Sequence, residues 1–278
     1  MLFFKLFSRL PLGILYLFSD VLYLLARYVI RYRKRVIDDN LFHAFPEKTE
    51  KERKAIRNRF YRNFTDSIAE TIKSITISKA ELSKRFTITN QDLLDQEVKN
   101  GKSVLLLAGH FFNWELGLQQ AAVLSKVPSE GVYLKINNPF FDKLMYQART
   151  RFGNTITEKR EFKNTVKTLG EHHRVVQLAA DQRPNNRTIR YQRPFLNRPA
   201  YFFEGAENIA KSMDLPVYFG EITKKGRGRY QATYELLSKG PYAAQVAHSI
   251  TDAFCDRLEK NIHLQPDLYL WSHKRWKL

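Results

Sequence analysis

Ser103–Gly117 reads S-V-L-L-L-A-G-H-F-F-N-W-E-L-G, and this stretch decides the fold. Val104–Ala108 is an unbroken apolar run of the length of a buried strand. Gly109 interrupts it, His110 follows at once, and a helical pattern starts near Asn113. Asparagine caps helix N-termini well, which places Glu115 in the first helical turn. A histidine is thus expected at the carboxyl end of a buried strand, the edge where α/β sheets bind ligands. On one continuous helix, His110 and Glu115 would point about 140° apart, at roughly 100° per residue. A strand-to-helix turn is what lets them meet. In that arrangement His110 takes a proton from an attacking hydroxyl, while Glu115 orients the ring and stabilises its protonated form. The plainer reading is that His110 ends a strand and Glu115 lies on a solvated helix face.

From Gly101 onward the pattern alternates strands and helices. Gly131–Lys135 reads as a strand, and Asn138-Pro139 is a cap and first-turn pair opening a helix to about Phe152. Arg149 and Arg151 flank the apolar stripe of that helix. By default such arginines lie along the surface, but a fixed guanidinium also binds phosphate or carboxylate with two prongs. Glu161–Glu171 reads as a helix and Val175–Ala180 as a strand, with Asp181 at its carboxyl end. Asp181 and His110 therefore stand at the same kind of strand edge and converge on one pocket, unless Asp181 is only a turn residue. Arg183–Arg198 reads as a basic loop carrying Arg183, Arg187, Arg190, Arg193 and Arg198. A helix from Phe202 to Met213, strands Pro216–Ile222 and Arg229–Leu236, and a helix Ala243–Asn261 complete the chain. The fold class expected is α/β: a mixed sheet flanked by helices, with an N-terminal membrane helix.

Three regions are expected: a membrane anchor over 1–36, a helical subdomain over 37–100 and the α/β core over 101–278. Leu10–Ile30 is strongly apolar and about long enough to span a bilayer. Yet Arg9, Tyr16, Asp20, Tyr23, Arg27 and Arg31 recur on one helical face, opposite Leu, Ile, Val and Phe. The stretch reads equally as a spanning helix with a polar stripe or as a helix lying in the interface; a buried core helix is the third reading. Arg31, Arg33, Lys34 and Arg35 follow it, and by the positive-inside rule they keep the rest of the chain cytoplasmic. Ile56, Phe60, Phe64 and Ile68 form one stripe of a charged helix beginning near Thr49.

The 278 residues carry 46 Lys+Arg against 28 Asp+Glu, a net charge of +18. Such a field attracts nucleic acid, anionic lipid surfaces or an acidic protein partner. The single cysteine, Cys255, excludes an intrachain disulfide and a cysteine-built zinc site. No Walker phosphate loop, dinucleotide fingerprint or G-x-S-x-G elbow is present. Neither a cofactor nor a metal ligand set is expected.

The segment G-H-F-F-N-W-E resembles the G-H-x-G-N-W-E stretch of the lipid A biosynthesis acyltransferases of Gram-negative bacteria. Four further blocks agree in order. N-L-F-H-A-F-P-E at Asn40–Glu47 resembles the family's N-L-x-x-x-F-P-E. Asn138-Pro139 with Asp142 and Arg149 resembles its N-P-x-x-D block with a later arginine. Asp181-Gln182 resembles its D-Q block, and W-S-H-K-R-W-K at Trp271–Lys277 its closing block. Phe112, where the family has a small residue, and Tyr201–Gly205, where it is richer in Thr, are departures. They leave acceptor and acyl-chain choice open.

The resemblance implies a glycerolipid-acyltransferase-like fold and transfer of a fatty acyl chain from acyl carrier protein to a hydroxyl of a lipid A precursor. It implies His110 and Glu115 as the catalytic pair, and Asn113, Arg149 and Asp181 in the substrate site. The place implied is the bacterial inner membrane, with the catalytic domain on the cytoplasmic face and the anionic membrane surface as a partner. An acyltransferase acting on another glycolipid or a lysophospholipid is the rival within enzymes. The rival from another class is a membrane-tethered nucleic-acid-binding protein. Against it, the aromatics are not interleaved with basic residues on a strand platform, so no nucleic-acid partner is expected.

Overall fold

The computed structural model describes residues 2–184, 191–242 and 246–276. The chain opens with α1 (Leu2–Arg9) and α2 (Leu12–Leu24), separated at Pro11, which has no N–H to continue the first helix. A π-helical turn over Leu25–Val29 extends α2. Then come α3 (Lys34–Ala44), α4 (Glu50–Ser74), α5 (Lys79–Arg85), β1 (Phe86–Ile88) and α6 (Gln91–Lys99). A capping box starts α4: the Glu52 N–H donates to Thr49 Oγ1 at 3.3 Å and the Thr49 N–H to Glu52 Oε2 at 2.7 Å.

The buried face of α4 changes character along its length. Ile56 and Phe60 are buried, but Ile68 is exposed, and from Thr65 onward the inward residues include Asp66, Glu70 and Lys73. These polar groups receive the polar stripe of α2. Ser19 Oγ donates to Asp66 at 2.6 Å, Tyr16 donates to Glu70 at 2.8 Å, and Arg62 pairs with Asp20. The polar side of α2 therefore faces the protein and its apolar side faces out. Ile14, Leu17, Phe18, Val21 and Leu22 are exposed, and only 28% of Leu12–Val29 is buried.

The second half contains β2 (Val104–Ala108), α7 (Trp114–Leu124), β3 (Ser129–Tyr133), α8 (Pro139–Thr150) and β4 (Thr155–Glu158). It continues with α9 (Lys159–Thr165), β5 (Val175–Ala179), β6 (Tyr191–Phe195) and β7 (Arg198–Phe202). The last elements are α10 (Gly205–Met213), β8 (Val217–Gly226), β9 (Arg229–Ser238) and α11 (Ser249–Leu264). Seven strands form one mixed sheet in the order β1-β9-β8-β2-β5-β3-β4, with β6 and β7 as a separate hairpin. In the centre, β2 is parallel to both β5 and β8; β9 runs antiparallel to β8, and β1 is parallel to β9. Burial of β2 by neighbours on both sides explains its continuous apolar sequence.

The β2–β5 register fixes the site. Ala108 is paired with Ala179, so His110 and Asp181 each stand two residues past the same rung. The Ala180 N–H donates to Ala108 O at 3.1 Å and carries the alignment into the turns.

Several expectations are revised. Residues 37–100 supply β1 to the sheet, and Phe60, Ile77 and Phe86 share one core cluster with β2 and β8. The expected basic loop Arg183–Arg198 contains β6, paired with β7; Arg187 and Arg190 lie outside the described residues. Phe202 belongs to β7 rather than to the following helix, and α11 begins at Ser249, with 243–245 outside the described residues.

Candidate active site

His110 is held by Asp181. Its ring Nδ1 lies 2.5 Å from Asp181 Oδ1, and its backbone N–H donates to Oδ2 at 3.1 Å, so both carboxylate oxygens grip one residue. Gly109 makes the turn possible: a Cβ there would meet Leu258 Cδ1 at 2.5 Å and Phe111 Cε2 at 2.9 Å. The Asp181 side chain is 2% exposed and that of His110 17%. Burial alone pushes the His110 pKa down, but the charge and hydrogen bond of Asp181 outweigh it, and the net shift is upward. For Asp181, burial pushes up, while the charge and hydrogen bonds of His110, helped by the Arg275 charge, bring it below its ordinary value. With Nδ1–H committed to Asp181, Nε2 carries the lone pair. The Gln182 amide NH2 sits 3.3 Å from Nε2 and donates to that lone pair. The Trp114 indole meets the imidazole edge-on, with centroids 5.2 Å apart.

Glu115 has a different partner from the one expected. It is buried in the first turn of α7 and takes Arg149 of α8 in two-pronged fashion, Nε to Oε2 at 2.8 Å and Nη2 to Oε1 at 2.5 Å. Trp114 Nε1 also donates to Oε1, at 3.0 Å. Asp181 thus occupies the ring position that the spacing assigned to Glu115, and Glu115 occupies the fork that was expected to grip substrate. A substrate anion reaching Arg149 would have to displace a buried carboxylate. Asn113 is equally committed. Its Oδ1 accepts from the N–H groups of Glu115 and Leu116, at 3.1 and 3.2 Å, and its Nδ2 donates to Glu70 Oε2 at 3.0 Å. It caps α7 as expected and is 1% exposed. Arg151 donates to Ser74 O and Ile77 O, clamping the end of α4.

Glu70 joins the anchor to the site. At 1% exposure it accepts from Tyr16 of α2, Tyr230 of β9 and Asn113. Burial pushes its pKa up, and these three donors only partly offset that. Phe112, the bulky departure from the family pattern, is fully buried among Phe60, Phe64 and Trp114.

The closing segment folds back behind the dyad. The Phe112 N–H donates to Leu268 O at 3.0 Å, and Phe111 bridges to Tyr269. Burial pushes His273 down to about 4, which keeps it neutral. Arg275 is 2% exposed. Sequence reasoning quoted this block only as a resemblance. The signal for its depth was available in Trp271, Arg275 and Trp276, large residues close together after the last helix. Among the described residues no group of three His, Cys, Asp or Glu is placed to hold a metal.

An ion-paired histidine and aspartate stand at the carboxyl edge of the central parallel strand of an α/β protein whose N-terminal helix turns an apolar face outward. Comparison with known sequences identifies the group. The chain belongs to the bacterial lipid A biosynthesis acyltransferase family, whose profile matches residues 1–278. It is 24% identical over 274 residues to the lipid A biosynthesis lauroyltransferase of Escherichia coli (strain K12), covering 97% of this chain and 87% of that protein. It is 22% identical over 285 residues to the lipid A biosynthesis palmitoleoyltransferase of the same organism, covering 98% of this chain and 88% of that protein. A lipid A biosynthesis acyltransferase of Shigella flexneri is similar to the same degree.

Proposed function

We propose that this acyltransferase moves a fatty acyl chain from acyl carrier protein to a hydroxyl of a lipid A precursor, with His110 and Asp181 as the proton-transferring pair. The observation that carries the mechanism is the bond from Nδ1–H to Asp181, which leaves the Nε2 lone pair as the base once the acceptor hydroxyl takes the place of the Gln182 amide. The acceptor hydroxyl gives its proton to Nε2 as its oxygen attacks the thioester carbonyl carbon. A C–O bond forms and the tetrahedral intermediate collapses with loss of the C–S bond. The imidazolium returns the proton to the departing sulfur, which leaves as a thiol. Asp181 stays ionised and stabilises the imidazolium in between. A covalent acyl-enzyme on Cys255 is disfavoured, because the thiol is fully buried and burial pushes its pKa up. Glu115, Arg149 and Asn113 act as the frame that fixes α7 and α8 around the pair.

The net charge of +18 suits an acidic carrier protein as donor. The outward apolar face of α1 and α2 suits a bilayer, and it continues onto α8, where Phe4 packs at 5.7 Å against Phe140 and at 5.9 Å against Phe141. With its polar stripe docked on α4, the N-terminal helix lies along the protein and presents one face to lipid. Exposed Arg31, Arg33, Lys34 and Arg35 favour the cytoplasmic face of the inner membrane. Mass spectrometry of lipid A from cells lacking the protein tests the reading. One acyl chain should be missing and should return with the wild-type gene but not with His110→Ala; unchanged lipid A refutes it.

A further inference from the structure

A cavity of about 110 Å³ has walls that include Arg183, Gln192, Tyr201, Arg275 and Trp276, and among the described residues no carboxylate lines it. One water needs roughly 10–15 Å³ of such space, so there is room for a polyatomic group. Two of the wall residues hold buried donors without acceptors. Among the described residues Arg275 has no hydrogen-bond partner at Nε, Nη1 or Nη2, and Trp276 has none at Nε1. Neither group can accept a hydrogen bond, so only an acceptor-rich partner satisfies them. The Asp181 charge acts on Arg275 without a hydrogen bond between them, and a buried guanidinium with its donors unpaired is costly. The guanidinium carbon lies over two phenyl rings, 4.2 Å from Phe202 and 5.6 Å from Phe195. Aromatic contacts of this kind satisfy none of the N–H donors, which still need an acceptor. The Trp276 ring is held in turn by Phe195, at 6.0 Å, and by Arg198, at 5.4 Å.

We propose that this cavity binds a phosphate group of a substrate, gripped by the Arg275 fork and the Trp276 N–H. A planar fork with an adjacent single donor matches phosphate oxygens better than a spherical anion. The position suits the reaction, because Arg183 follows Asp181 and Gln182 directly in the chain. The inference rests on the acyl-transfer reading, in which both substrates carry phosphate: the phosphopantetheine arm of the carrier protein and the phosphorylated sugar of the lipid acceptor.

Full-length protein in detergent tests it with Trp276→Phe, which keeps the ring and removes only the donor, and with Arg275→Gln. Trp276→Phe should raise KM for one substrate about tenfold, as for a lost bond to a charged group, with kcat within about twofold. A rise for the lipid that disappears with a dephosphorylated acceptor assigns the acceptor phosphate; a rise for the acyl carrier thioester assigns the donor arm. Unchanged KM values, or a change in kcat alone, overturn the site. Inorganic phosphate, against chloride at equal ionic strength, should raise the melting temperature of wild type but not of Trp276→Phe, and equal shifts in both also overturn it. This second readout needs no turnover and still judges the cavity if acyl transfer itself is absent or if Arg275→Gln does not fold.

Discussion

Replacing Asp181 by Asn removes one charge and almost no volume, and the geometry makes the result calculable. Asp181 accepts twice from His110, at Nδ1 (2.5 Å) and at the backbone N–H (3.1 Å). Asparagine has one oxygen. If that oxygen faces Nδ1, its NH2 opposes the backbone N–H, donor against donor. If it turns over, the NH2 faces Nδ1, the proton moves to Nε2, and the base is lost. Loss of one hydrogen bond between charged groups is worth about 1.5–3 kcal/mol, or about 10- to 150-fold in kcat/KM. The tautomer penalty extends the range towards the ~10⁴-fold seen for the equivalent change in a serine protease triad. The pH profile gives a second readout. The Asp181 charge raises the His110 pKa above 6.5, so the base is lost as pH falls through that raised value. In Asp181→Asn burial and the Arg149 charge push the pKa down against the Glu115 charge alone, so the acid limb of the residual activity should move to lower pH while the plateau drops. The assay is transfer of radiolabelled acyl chains from carrier protein between about pH 5 and 8, the range over which histidines titrate. A rate within about threefold of wild type, with an unshifted limb, refutes the pairing.

His110→Ala should cost about 10²- to 10⁴-fold in kcat, and it should also lower the melting temperature because it leaves buried Asp181 without its imidazole partner. Glu115→Ala leaves Arg149 buried without its partner and should destabilise by about 3–5 kcal/mol, lowering the melting temperature by roughly 10 °C. A large kcat loss with an unchanged melt would instead return Glu115 to proton transfer. Leu17, Phe18 and Val21 are 65%, 49% and 56% exposed, so Gln at all three should release protein from washed membranes without changing its melt; protein still sedimenting with membranes contradicts the interfacial face. Deleting residues 1–36 should both release the protein and lower its melting temperature, because it uncovers Asp66 and Glu70; an unchanged melt shows that α2 is not docked.

The central strand, the Asn113 cap, the Asn138-Pro139 helix start and the strand-end position of Asp181 were all legible, because each is local. The ring partner of His110 was not. Glu115 is five residues away and Asp181 seventy-one, yet the Ala108–Ala179 rung brings the distant carboxylate to Nδ1. Meanwhile the start of α7 turns Glu115 towards Arg149. A register between strands is a long-range fact that no spacing rule encodes. Similarly, the polar stripe of α2 was visible but its direction was not, because Asp66 and Glu70 on α4 look like a solvated face until a second polar surface covers them. The β6–β7 hairpin was hidden by Arg193, Pro194 and Pro199, which read as loop chemistry although Tyr191 and Phe195 keep an alternating pattern.

The most direct test is a reconstituted reaction: purified full-length protein, an acyl carrier protein thioester and a lipid A precursor, followed by mass spectrometry of the lipid. Wild type should add the mass of one acyl chain in ester linkage, and His110→Ala that is folded at the assay temperature should add none over the same time. No mass gain with wild type, or an equal gain with His110→Ala, would contradict acyl transfer by His110 and Asp181.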